Sequence, residues 1–236
     1  MYCGRRIVRS TDVTPDGRLR LDALARYLQT VAEDDVADSG LLGQALWLVR
    51  RCALTVRAVP VMGDRITLRT FCSGTGPRWA ERTTTVAGPA GVALQATAVW
   101  AAVDPRDGRP IPPGEQFLQV YGEAAQGRTV SARLSHPRPS GTQPDRPWPL
   151  RATDFDTAGH VNNAITWAAV EDVLAGQSWL PSAAEVEYHR AIRPGAAPRL
   201  AVADADGAGP MMWLLADGQV LASARLAGPT VPAAAG

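Results

Sequence analysis

The stretch DFDTAGHVNNAITW, Asp154 to Trp167, places two carboxylates, a glycine, a histidine and two asparagines directly ahead of an apolar run. Within it Val161, Ala164, Ile165 and Ala168 recur at spacings of three and four, the period of a helix with one buried face. A helix start needs one capping side chain. This one carries several more polar groups than that.

The same signal occurs earlier. Thr11 to Leu19 (TDVTPDGRL) lies over Thr153 to Val161 (TDFDTAGHV) without a gap, with Thr, Asp, an apolar residue, Gly and a second apolar residue in register. It too leads into a helical pattern, Leu21, Leu24, Leu28 and Val31. Downstream, LTVRAVPVMG (Leu54–Gly63) parallels VEYHRAIRPG (Val186–Gly195), and GVALQATAVW (Gly91–Trp100) parallels GQVLASARLA (Gly218–Ala227). Three matches in the same order argue for a duplicated chain. Ile66, Leu68, Thr70 and Cys72 alternate with Thr67, Arg69 and Phe71, as in a strand with one buried face. Each half therefore reads as one long helix packed on a curved antiparallel sheet, an α+β fold. The expected division is an N-terminal repeat over 1–110, a Pro- and Gly-rich linker over 111–147 and a C-terminal repeat over 148–230. SHPRPSGTQPDRPWP (Ser135–Pro149) reads as irregular, and RTVSARLSHP has room for one short strand. A linker that long lets the two sheets join edge to edge, hiding two edges.

Composition narrows the function classes. The 236 residues are 46% hydrophobic and 20% charged with a net charge of +1, so nothing global points to nucleic acid or an anionic membrane. All the basic residues are arginine, which we attribute to coding bias. Cys3, Cys52 and Cys72 have no metal-site or CxxC spacing, and MYCGRRIVRSTD lacks the apolar core of a secretory leader. The expectation is a soluble, cytoplasmic protein.

Gly159 and His160 sit where a helix begins, and the unpaired amides there carry partial positive charge. Amides at Gly159–Val161, with Asn162 and Asn163 as positioning groups, would suit a carbonyl oxygen that becomes negative during acyl transfer. Gly159 lets a substrate approach the backbone. Asp156 has reach to the same carbonyl carbon as nucleophile or through water, with His160 orienting it. The plainer alternative is that Asp154 or Asp156 caps the helix and His160 is a boundary histidine. Arg50, Arg51, Arg57, Arg78 and Arg82 suit contacts with an acidic or phosphorylated partner, or else form a solvated face. His136, in the linker, is expected to be exposed and without a role. Trp47, Trp79, Trp100 and Trp213 read as core or pocket wall.

DFDTAGHVNN followed by an apolar helix resembles the signature of the hotdog-fold thioesterases. Together with VRSTDVTPDGRLRLDALARYLQTVAED, WLVRRCALTVRAVPVMGDRITLRT and RWAERTTTV, the chain resembles the double-hotdog acyl-acyl carrier protein thioesterases over most of its length. That resemblance implies tandem hotdog repeats, hydrolysis of fatty acyl thioesters on the phosphopantetheine arm of acyl carrier protein, and neither metal nor organic cofactor. It assigns catalysis to the second repeat and much of the acyl pocket to the first. The family's motif Asp and His fall on Asp156 and His160. Its motif Asn falls on Ala158, and a later Glu-Cys pair falls on Ala191 and Ile192, which can do no acid–base or nucleophilic work. Simpler hotdog thioesterases are understood to work with one carboxylate and helix-start amides, so activity is still expected. Glu187 is either a supporting carboxylate or a surface residue paired with Arg190 or Arg199. The alternatives are an acyl-CoA thioesterase and a non-catalytic acyl-binding protein. Hotdog hydratases place Asp and His five apart, whereas Asp156 and His160 are four apart. Two fused repeats allow a monomer, with a homodimer as the other state.

Overall fold

The computed structural model describes residues 1–43, 45–175, 179–204 and 209–232. The first half contributes β1 (Tyr2–Ile7), α1 (Leu21–Asp38), β2 (Leu46–Val56), β3 (Arg65–Gly76), β4 (Trp79–Gly88) and β5 (Gly91–Val103). After α2 (Glu115–Ala125) come β6 (Asp145–Pro147), α3 (Asn163–Leu174), β7 (Trp179–Tyr188), β8 (Arg199–Asp204), β9 (Pro210–Ala216) and β10 (Gln219–Pro232). The strands make one antiparallel sheet in the order β1-β3-β4-β5-β2-β7-β10-β9-β8-β6. Read outward from the β2–β7 junction, the two halves repeat each other strand for strand. The junction runs from Arg51 opposite Glu187 to Thr55 opposite Ala183, so each half covers an edge of the other. This is the tandem hotdog architecture that the family resemblance implies.

Period-two burial drives the strands. In β3, Ile66, Leu68, Thr70 and Cys72 are buried while Arg65 and Arg69 are exposed. One core joins both halves: Leu24 and Val31 of α1 and Trp167, Val170 and Leu174 of α3 meet Val86, Leu94, Val186 and Leu226 of the sheet. Burying each such side chain contributes about 1.5–3 kcal/mol. Among the described residues, no helix is long and apolar enough to cross a membrane.

The region between the halves, read as a Pro- and Gly-rich linker, carries regular structure of its own. It holds α2, whose Phe117, Tyr121 and Ala125, four residues apart, face inward. Tyr121 donates to the Asp35 carbonyl at 3.2 Å, and the Phe117 ring lies 4.9 Å from that of Trp47. Gly114 precedes this helix, and Gln126, at φ +51°, ends it. β6 lies inside the stretch read as irregular and pairs with β8 as β1 pairs with β3. The short strand expected in RTVSARLSHP is a single bridge, Thr129 to Thr75.

Candidate active site

The turn ahead of α3 is built from local hydrogen bonds. Asp154, buried, accepts from the Arg151 amide at 2.8 Å and from its guanidinium at 2.9 Å, closing a short 3-10 turn. The Asp156 and His160 main chains then pair (2.8 Å), and the Gly159 amide returns to the Asp156 carbonyl (3.0 Å). Gly159 has φ +71°, a conformation that other residues adopt only with strain. Asn162 caps α3, its Oδ1 accepting from the Ala164 amide at 2.9 Å.

This geometry corrects the expected oxyanion donors. The Gly159 amide is bound to Asp156, that of His160 to the Asp156 carboxylate (3.2 Å), that of Val161 to the Ile192 carbonyl (2.9 Å) and that of Asn162 to the Asp154 carbonyl (2.8 Å). The Asn163 amide, first in α3, is left without an acceptor among the described residues. Its position gives it the positive end of the helix dipole.

Asp156 is exposed at the rim of a cavity of about 430 Å³, within the range of small-ligand sites. Its Oδ1 accepts from the Ala158 (2.9 Å) and His160 amides, which fixes the carboxylate and leaves Oδ2 unbonded among the described residues. His160 and Asn163 line the same mouth, as do Ala191 and Ile192. From there the cavity runs between the repeats to Trp47, Cys72 and Phe117, so α1, β2 and the unforeseen α2 supply its apolar end. Burial raises the Cys72 thiol, so it forms wall and not nucleophile.

Several other candidates are placed differently from their expectation. Glu187 is neither a surface group nor a cavity carboxylate. It is fully buried on the other side of the sheet, accepting from the Ser135 amide at 2.6 Å and the His136 amide at 3.1 Å. His136, expected to be exposed, has no exposed side-chain surface and bonds Ser223 and Glu185. Sequence pattern gave no sign of this, since the partners are about fifty residues away or more. Arg82 is in a buried ion pair with Asp35 at 2.5 Å, so it is no surface contact. Arg50 donates to the Tyr188 carbonyl (3.0 Å) and Arg51 to those of Ser131 and Arg133, whereas Arg78 stays exposed. His136, Glu185 and Glu187 bring metal-ligand atoms within 4.8 Å of one another. Both Glu187 oxygens and both His136 ring nitrogens already have partners within the chain, so the cluster is a satisfied polar network.

The acyl-ACP thioesterase N-terminal domain family matches residues 2–121. A Mycobacterium tuberculosis protein, Uncharacterized protein Rv2001, is 30% identical over 191 residues, 79% of this chain and 76% of the relative. The 12:0-ACP thioesterase from Umbellularia californica superposes with a TM-score of 0.82 at 19% identity, covering 97% of each chain. An acyl-ACP thioesterase from Bacteroides thetaiotaomicron superposes at 0.83 with 17% identity, over 95% of this chain and 96% of that one. The likeness to these structures is one of fold. With a sequence match over half its length, a duplicated hotdog sheet and a cavity opening at the second repeat's motif, this chain belongs to the acyl-ACP thioesterase family.

Proposed function

We propose that the protein hydrolyses the thioester between a fatty acyl chain and the phosphopantetheine arm of acyl carrier protein, with catalysis in the second repeat. The observation that carries this reading is one continuous cavity with the Asp156 carboxylate and the open Asn163 amide at its mouth and an apolar end against α2. The acyl tail occupies the apolar end, at about 0.8 kcal/mol per buried methylene. The thioester carbonyl oxygen lies against the Asn163 N–H, where a donor aimed at developing negative charge is worth about 3 kcal/mol. The free Oδ2 of Asp156 takes a proton from water as the water oxygen adds to the carbonyl carbon. The C–S bond then breaks, and that proton passes to the departing thiolate. His160 orients the water. Exposed Arg78 is a contact for the acidic carrier. The three free cysteines suit a reducing, cytoplasmic setting, and the β2–β7 junction supplies within one chain the pairing of two hotdog units, which suits a monomer.

The test is thiol release from acyl-carrier and acyl-CoA substrates of several chain lengths, with Asp156→Ala alongside. Faster turnover on carrier-bound substrate, lost in the variant, is the expected result. Preference for acyl-CoA would reassign the substrate. Equal, slow release by both proteins would make this a binding protein, the reading that Ala158, Ala191 and Ile192 favour.

A further inference from the structure

Behind the cavity, a polar network links it to the far side of the sheet. After α2 the chain crosses the outer face of the central strands. It is held there by Arg51 on the Ser131 and Arg133 carbonyls and by Trp213 Nε1 on the Pro137 carbonyl (2.9 Å). Buried Glu187 anchors it through two main-chain amides, the kind of charge-assisted bonds that a buried carboxylate requires. Enclosed His136 then lies with Nδ1 2.9 Å from Ser223 Oγ and Nε2 3.2 Å from Glu185 Oε1. Ser223 Oγ is also 3.0 Å from His189 Nε2. His189 follows β7, where its amide and that of Arg190 both bond the Leu221 carbonyl. Two residues opposite one form a bulge, which re-aims a side chain. Here it brings His189 to the cavity wall beside the motif.

The bond directions follow from the groups. A carboxylate only accepts, so His136 Nε2 carries a hydrogen. Its Nδ1 lies 2.9 Å from the Ser223 hydroxyl, and the fully buried Glu187 places Oε2 3.7 Å from His189 Nε2. A buried carboxylate that close favours the hydrogen on His189 Nε2, and the Ser223 oxygen, 3.0 Å away, accepts it. His189 is thereby fixed with its proton on Nε2. Its Nδ1, unbonded among the described residues, is a lone pair. Burial, aided by Arg50 and His136 and opposed by Glu187, holds the His189 ring below the ordinary imidazole range, so it stays neutral.

We propose that His189 is a further catalytic residue of this site, its Nδ1 accepting a hydrogen bond from the attacking water, and that Ser223, held by His136 beside the buried Glu187 carboxylate, is a positioning residue that fixes its tautomer. The inference rests on the hydrolase reading above. Atom balance is unchanged: one water proton goes to Asp156 and on to the thiolate, while the hydrogen held by His189 stays on the water oxygen and leaves with the fatty acid. The arrangement takes up work that Ala191 and Ile192 cannot do, and it makes the segment crossing the outer face part of the catalytic apparatus.

The chain has three histidines, so ring-nitrogen NMR of the wild-type protein reads each tautomer without any variant. The expected result is His189 protonated on Nε2. In Ser223→Ala the anchoring of Glu187 is untouched, the His189 tautomer is expected to become mixed, and kcat falls about tenfold with KM unchanged. His189→Ala lowers kcat about a hundredfold. A wild-type His189 protonated on Nδ1 overturns the proposal, and so does wild-type kcat in Ser223→Ala while Asp156→Ala is inactive. If Asp156→Ala equals a slow wild type on every thioester, the hydrolase reading has failed and takes this inference with it.

Discussion

The turns at the start of α1 and α3 are copies in their main-chain bonds. The Asp12 carboxylate accepts from the Arg9 amide at 3.0 Å as that of Asp154 does from Arg151. Thr14 pairs with Arg18 as Asp156 pairs with His160, and Gly17, at φ +85°, corresponds to Gly159. The Leu19 amide reaches the Pro60 carbonyl at 2.8 Å, and that of Val161 reaches Ile192 at 2.9 Å. The difference lies in what the helix start holds. In the first half, Glu171 from α3 places Oε1 2.7 Å from the Leu21 amide and pairs with both terminal nitrogens of Arg18 at 2.9 Å. In the second half the matching residue of α1 is neutral Gln29, and the Asn163 amide stays open. The fold has thus built one anion-binding helix start twice. It fills the first with its own carboxylate and leaves the second open, with an aspartate in place of Thr14. The filled copy shows what chemistry the open one is suited to hold.

Breaking this contrast should give graded effects. Asp156→Ala is expected to lower kcat about a thousandfold, within the range for a lost acid–base group, whereas the matching Thr14→Ala leaves kcat intact; steady-state thiol release measures both. Glu171→Gln strips the filled copy of its charge. Because the ion pair is largely buried, its loss is expected to cost about 3 kcal/mol in urea unfolding without changing kcat. His160→Ala removes a cavity-mouth side chain that has no hydrogen-bond partner among the described residues. About a tenfold loss is expected there, and a loss larger than that of Asp156→Ala would mean that the base is misassigned. Asn162→Ala deletes the α3 cap and is expected to cost about 1 kcal/mol of stability, read as a lower urea midpoint with unchanged slope.

The duplicated turn was legible because its demands are local. Gly17 and Gly159 must take positive φ, Asp12 and Asp154 cap from three residues on, and each helix follows at once. The edge-to-edge joining of the two sheets was legible from the repeat, but the strand order and the choice of β2 and β7 for the junction were not. What escaped was long-range. α2 has only Phe117, Tyr121 and Ala125 to announce it, and exposed Leu118 and Val120 blur that stripe. His136 read as exposed, and Glu187 as either a supporting or a surface carboxylate, because their partners come from distant segments. Which helix-start amide is free depends on carbonyls such as that of Ile192, so the sequence reading chose as donors the Gly159–Val161 amides, which the folded chain already uses.

The most direct test is to close the second copy as the first is closed. Gln29→Glu places a carboxylate opposite the Asn163 amide, and Gln29→Ala is the uncharged control. A fall of about a hundredfold in kcat on acyl-carrier substrate for the charged variant, with the control near wild type, is the expected result. Wild-type kcat in Gln29→Glu would show that the Asn163 amide takes no part in the reaction.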